Sequence, residues 1–94
     1  MAKSTLREFW QSNPEAQSPL ETWYRVALNS RWENFADVKA STPSVDMVGP
    51  NRLCFNIAGN KYRLIAVVDF AKHGILIRFV GTHREYDKID ARTI

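Results

Sequence analysis

Three segments in the second half of the chain restrict its fold more than anything else. "RLCFNIA" (52–58), "KYRLIAVVDF" (61–70) and "GILIRFVGT" (74–82) are rich in β-branched and aromatic residues, and only "GN" and "AKH" separate them. Connections this short join antiparallel neighbours, because a parallel crossover takes a dozen residues or more. Gly59-Asn60 is a good two-residue hairpin loop. The three segments therefore read as a β-meander.

Upstream, the apolar period changes from two to helical. Thr5-x-x-Glu8 reads as a capping box, and Leu6, Phe9 and Trp10 follow at helical spacing, which predicts a helix over 5–12. Ser18-Pro19-Leu20-Glu21 predicts a second start, with Ser18 as N-cap and Pro19 at the first helical position. Leu20, Trp23, Tyr24, Ala27 and Leu28 then line one face, which Trp32 extends. Core packing accounts for these aromatics better than a binding stripe does. Residues 34–51 read as a loop with one helical turn near 35–39. The expected fold is α+β: two N-terminal helices packed on a three- to four-stranded antiparallel meander, with a short C-terminal helix. At 94 residues the chain is expected to be a single domain, 1–94.

The balance of 13 Lys and Arg against 10 Asp and Glu gives +3, which permits a nucleic acid or acidic partner but argues against gripping long duplex by charge alone. No apolar run is long enough to span a bilayer, so no membrane partner is expected. "MAKSTLREFW" lacks the pattern of a signal peptide, so the expected location is cytoplasmic. The single cysteine, Cys54, sits in an apolar run and reads as a small core residue.

Register arithmetic then sorts the polar groups. A loop at Gly59-Asn60 pairs Ala58 with Lys61 and Asn56 with Arg63, so Asn56, Lys61 and Arg63 share one face, with Cys54 and Arg52 further along it. Tyr62, Leu64, Ala66, Val68 and Phe70 form an apolar row on the other face, suited to cover by the helices. Arg78 joins the face of Arg63 if the second connection has an even number of residues, and the opposite face if odd. The third run ends beside the start of the second, which brings "VGTHREYD" to Lys61 and Arg63. A helix beginning near Thr82 makes His83 and Tyr86 i, i+3 neighbours, with Asp87 at i+4 from His83. Singly, these are a cap, a packing residue and a solvated face; their convergence is what marks a site.

"FNIAGNKYRLI" and "RFVGTHREYDKID" carry the most specific part of a resemblance that covers nearly the whole chain. The sequence is similar to the HigB family of bacterial type II toxins, within the RelE and ParE superfamily. That resemblance implies an α+β fold with an antiparallel sheet, and cleavage of messenger RNA, commonly on the ribosome. It also implies neutralisation by a helix-turn-helix, HigA-like antitoxin, with DNA contacted only through the antitoxin complex. The wider pattern has an Arg in a "YRL" strand, here Arg63, and a basic residue after a strand-ending "VG". RelE itself has Arg where this chain has His83, which leaves base and phosphate ligand as two roles for that imidazole. The pattern's C-terminal Tyr has no match at identical spacing, and Tyr86 is the geometric substitute. Relatives often begin with a strand; only Met1, Ala2 and Lys3 precede the first helix, so that strand is expected to be shortened or absent.

Cleavage without a metal would use the RNA's own 2′-hydroxyl against the adjacent phosphate. It needs a base, cations for developing charge, and a proton for the leaving oxygen. His83 is the first choice of base, since imidazoles titrate near neutrality; Lys61 is the rival, provided its surroundings lower its pKa. Arg63 suits the phosphate oxygens, its planar fork remaining charged. Tyr86 would donate to the leaving group or stack on a base. Arg78, Asn56 and Arg84 are candidate RNA contacts. No cofactor is expected, and His73 and His83 lack carboxylates at metal-ligand spacing. Two other classes share such a fold: a ParE-like gyrase inhibitor, and a non-catalytic RNA-binding or protein-interaction module.

Overall fold

The computed structural model describes residues 3–94. Helix α1 (Lys3–Ser12) leads through a 3-10 turn (Pro14–Ala16) into α2 (Gln17–Asn29), and a short α3 (Phe35–Ser41) follows. Four strands come next, β1 (Asp46–Gly49), β2 (Arg52–Ile57), β3 (Tyr62–Asp69) and β4 (Gly74–Thr82), and then α4 (His83–Tyr86). The strands form one sheet in the order β1-β2-β3-β4, every neighbour antiparallel. The α+β expectation is met, and the sheet has four strands.

Both helix starts differ from the sequence reading. Thr5 lies inside α1, which already includes Lys3; Met1 and Ala2, where a preceding strand would begin, lie outside the described residues. Ser18 is not the N-cap of α2. The turn over Pro14–Ala16 supplies the nucleus, so the helix runs straight on from Ala16 and Pro19 falls within its first turn, where a missing N–H removes no helical bond. Of the predicted face, Leu20, Trp23 and Ala27 are buried and Tyr24 is partly so, whereas Leu28 is 61% exposed. The turn near 35–39 is real: Asn34 Oδ1 caps α3 by accepting from the Asp37 amide at 3.0 Å.

β1 lies inside the segment read as loop. Pro50-Asn51 closes its hairpin with β2, with Asn51 in the left-handed region at φ 59°; Pro followed by a left-handed Asn fits the two central positions of a tight turn. The β2–β3 ladder pairs Asn56 with Arg63, as the loop arithmetic predicts, but closes at Ile57–Tyr62. Ala58, Gly59 and Asn60 all have positive φ, and the Lys61 amide bonds back to both Ile57 and Ala58 carbonyls. Lys61 is therefore outside the ladder, and its side chain is not tied to the face of Arg63. The β3–β4 connection has four residues between Asp69 and Gly74, an even number. The register then shifts between Ile65–Phe79 and Ala66–Ile77, which leaves Arg78 as the extra residue of a bulge.

The helices cover one face of the sheet. Tyr62, Leu64, Ala66 and Val68 are buried there, and Phe70 packs at the rim, so the predicted apolar row is the core face. Phe55 sits between Trp23, edge-on at 5.2 Å between ring centroids, and Trp32, stacked at 6.1 Å. Aromatic pairs of this kind add about 0.5–1.5 kcal/mol beyond area burial, and they lock α2 and the following loop to β2. The opposite face is open at the β3–β4 end, where the polar groups gather.

Candidate functional site

Arg63 and His83 meet at that end. Arg63 is the second residue of β3 and faces Gly81 on β4. Gly81 has no room for a side chain: a Cβ there would lie 2.6 Å from the Phe79 ring. The glycine thus lets Phe79 fold over the sheet beside Arg63. One residue on, Thr82 ends the strand and caps α4. Its hydroxyl accepts from the Glu85 amide at 3.2 Å, and Glu85 reaches back to the Thr82 amide at 2.8 Å, a reciprocal capping box. This cap fixes where His83 and Tyr86 project.

The Arg63 Nη2 lies 3.0 Å from His83 Nε2. A guanidinium only donates, so Nε2 is the acceptor in this arrangement and the ring proton resides on Nδ1. Nδ1 faces the Asp87 carboxylate at 3.7 Å. The Arg63 Cζ sits 4.9 Å from the centroid of the Tyr86 ring, a cation–π contact, and Nη1 approaches Cys54 Sγ at 3.8 Å. Tyr86 in turn leans on Phe79, with ring centroids 6.4 Å apart. Arg63 Nε and Asn56 Oδ1 are buried without a hydrogen-bond partner in the protein. A donor and an acceptor left open on directly paired residues are the kind of exception that a site accounts for.

Burial pushes the Tyr86 phenol above its ordinary value of 10.0, Cys54 and Asp46 add to the rise, and Arg63 opposes it. A raised folded pKa stabilises the fold fully below the unfolded value, and that contribution is lost as pH rises through the folded one. Tyr86→Phe is therefore expected to flatten the loss of stability above pH 10 that the parent shows. Urea melts across the alkaline range check this; identical slopes for parent and variant would refute it.

Lys61 does not join the cluster. Its ammonium pairs with Glu15 of the 3-10 turn, on the helical side of the molecule. The hydrogen bond and charge of Glu15 hold the Lys61 pKa above its ordinary value, and Lys61 holds Glu15 below its own. The condition for Lys61 as a base, a lowered pKa, is the reverse of what its surroundings impose. Arg84 is exposed on α4. Arg78 Nε points to the Ile94 carbonyl oxygen at 3.4 Å, the same oxygen that takes Arg52 Nη2, which puts Arg78 with Arg52 rather than beside Arg63. Asp46 was not foreseen, because β1 was not; it pairs with Cys54 across the ladder and so stands on the Arg63 face. Among the described residues, no three His, Cys, Asp or Glu side chains are grouped to hold a metal ion.

Taken together, Arg63, His83, Tyr86 and Asn56 present a fixed cation, an imidazole whose Nε2 lone pair faces that cation, a phenol and an amide on one half-open surface. Such a set can bind a phosphodiester and move a proton beside it. No described helix is long and apolar enough to cross a membrane. Residues 16–89 match a family model described as HigB_toxin, RelE-like toxic component of a toxin-antitoxin system. The chain is 27% identical over 89 residues to the mRNA interferase toxin HigB of Escherichia coli (strain K12), covering 93% of this chain and 86% of that protein. The mRNA interferase HigB of E. coli O6:H1 is 22% identical over 91 residues, 95% of this chain and 88% of that protein. With the family model covering most of its length, the chain belongs to the HigB toxin family, the toxic half of a toxin–antitoxin pair.

Proposed function

We propose that this chain is an endoribonuclease that cleaves messenger RNA as the toxin of a type II toxin–antitoxin system. Family membership and relatives named as mRNA interferases support the activity; the contact between Arg63 and His83, at 3.0 Å, is the observation that supports this site for it. As the Arg63 guanidinium turns from His83 Nε2 to the phosphate, the freed Nε2 takes the proton of an RNA 2′-hydroxyl. The 2′-oxygen bonds to the adjacent phosphorus as the bond from phosphorus to the 5′-oxygen breaks, leaving a 2′,3′-cyclic phosphate. Arg63, held against Tyr86, meets the charge that develops on the phosphoryl oxygens. Asn56, directly opposite Arg63 in the ladder, stands beside it on the same face. The Tyr86 phenol keeps its proton well above neutral pH and supplies it towards the leaving 5′-oxygen.

The modest net charge of +3 supports a substrate positioned by the ribosome, and with it a cytoplasmic setting. Arg84 and Arg78 extend the cationic surface around it. The partner is a HigA-like helix-turn-helix antitoxin, through which alone the toxin would be brought to DNA.

Inducing the chain alone in bacteria is expected to stop growth and to leave new 5′ ends in coding regions, mapped by primer extension; co-expressing the antitoxin restores growth. Growth arrest with intact message and trapped gyrase–DNA complexes would select the ParE-like reading. RNA bound but never cut would select the non-catalytic one.

A further inference from the structure

We infer that Arg52 and Arg78 are positioning residues for the cleavage site: by holding the segment 87–94 across the open face of the sheet, they fix the end of α4 that carries Tyr86. This rests on the endoribonuclease reading and extends it to residues that do not touch the reacting groups. Arg52 Nη2 donates to the main-chain oxygen of Ile94 at 3.0 Å, and Arg78 Nε approaches the same atom at 3.4 Å. The two arginines come from β2 and β4, with β3 between them, so the segment is held from both sides of the middle strand. Two guanidinium groups repel each other, and a shared acceptor is what brings them together. Arg52 opposes Val67 in the ladder in which Asn56 opposes Arg63, four residues away. At about 3.3 Å per residue it stands ~13 Å from that row, so any effect it has on cleavage is transmitted.

The segment is packed against the sheet as well as bonded to it. Ile89, Ala91 and Ile94 are half-buried, while Lys88, Asp90, Arg92 and Thr93 are exposed, so its apolar side faces inward. Cys54 and Ile65 oppose each other on the face away from the core helices, yet they are only 2% and 0% exposed. What lies over that face is α4 and the segment after it, with the Tyr86 ring against Phe79 and the Arg92 Cα 3.4 Å from where a Gly49 Cβ would be. The bulge at Arg78 suits the grip, since bulges re-aim side chains and the register shift falls there.

The link to the site runs through α4. That helix has four residues, and a helix so short does not hold itself. Its first end is closed by the capping box of Thr82 and Glu85. Its other end is closed by the segment: the Asp87, Lys88 and Ile89 amides donate to the His83, Glu85 and Tyr86 carbonyls at 3.1, 3.1 and 3.2 Å. A further turn follows, in which the Thr93 and Ile94 amides both donate to the Asp90 carbonyl at 3.1 Å. Ile94 is therefore the far anchor of a series of turns that starts at α4. With that anchor released, His83 keeps its cap, whereas Tyr86 sits at the end that loses its bonds. The Tyr86 ring lies 4.9 Å from the Arg63 Cζ, so its phenol is the group that shifts relative to the phosphate.

The test pairs hydrogen exchange on the purified chain with cleavage of message in a translating extract, read by primer extension and scaled to folded protein. Arg52→Gln is expected to speed exchange at the Asp87, Lys88 and Ile89 amides about tenfold while the β2–β3 ladder exchanges as in the parent. It should slow cleavage by about tenfold to a hundredfold, the scale of a misplacement near 1 Å. Arg52→Lys keeps a donor and should recover most of the rate. Arg78→Gln should act in the same direction, and because Arg78 is exposed it serves as the test if Arg52→Gln folds poorly. In a Tyr86→Phe background Arg52→Gln should cost no more than about twofold, because both changes act on one phenol. Fully additive losses would show a structural role alone and overturn the inference. So would parent-like exchange at the three amides in both variants, or in Arg78→Gln where the other does not fold. A parent that leaves message intact overturns the nuclease reading, and the exchange rates then decide separately whether the arginines hold α4.

Discussion

Arg63→Ala is expected to reduce message cleavage by on the order of a hundredfold or more while the protein stays folded. The size follows from the loss of a fixed charge aimed at developing phosphoryl charge. The variant loses more than charge, because the same guanidinium holds His83 Nε2 at 3.0 Å and lies over Tyr86. The fold should tolerate the change. Arg63 is on the open face, its Nε already lacks a partner, and the chief packing loss is the contact with Tyr86, worth about 1 kcal/mol. Arg63→Lys should recover little, since an ammonium cannot present two parallel donors to a phosphate and approach an imidazole at once. Primer extension on message from expressing cells, with circular dichroism on the purified variants, reads both halves. Parent-like cleavage by a folded Arg63→Ala protein would remove Arg63 from the chemistry.

Much of this arrangement was legible in the residues, because it depended on local rules. The "GN" loop set the partner of Arg63, and alternation along β3 then assigned Tyr62, Leu64, Ala66 and Val68 to the helices. The Thr82 cap was visible as a helix start after a strand, and it alone fixes the i, i+3 relation of His83 and Tyr86. What stayed hidden depended on contacts distant in sequence or on irregularity. Lys61 turned away because the ladder stopped one pair early and Glu15, forty-six residues upstream, was there to receive it. No periodicity announces the bulge at Arg78, so parity of the connection could not by itself place that side chain. β1 is four residues long, too short for alternation to stand out, and with it Asp46 was missed. Ser18-Pro19 had the residues of a helix start but not the context, since Pro14 had already begun the turn.

The identity of the base is where these two outcomes meet. His83→Gln keeps hydrogen-bonding capacity at the strand end but removes the group that can accept and hold a proton. It is expected to lower cleavage roughly a hundred- to ten-thousandfold, the range for general-base catalysis. The substituted side chain is exposed at the first position of α4, so the capping box of Thr82 and Glu85 should persist and the fold with it. The pH dependence separates catalysis from shape. A base must be unprotonated to act, so the parent's rate falls on the acid side, and the variant's residual rate should lack that fall. Lys61→Met supplies the control. With its ammonium paired to Glu15 and its pKa raised, Lys61 is a poor proton acceptor, and its removal should leave most cleavage in place. If instead Lys61→Met is inactive and His83→Gln cuts at the parent rate, the ion pair with Glu15 must open in the working enzyme, and Lys61 is the base.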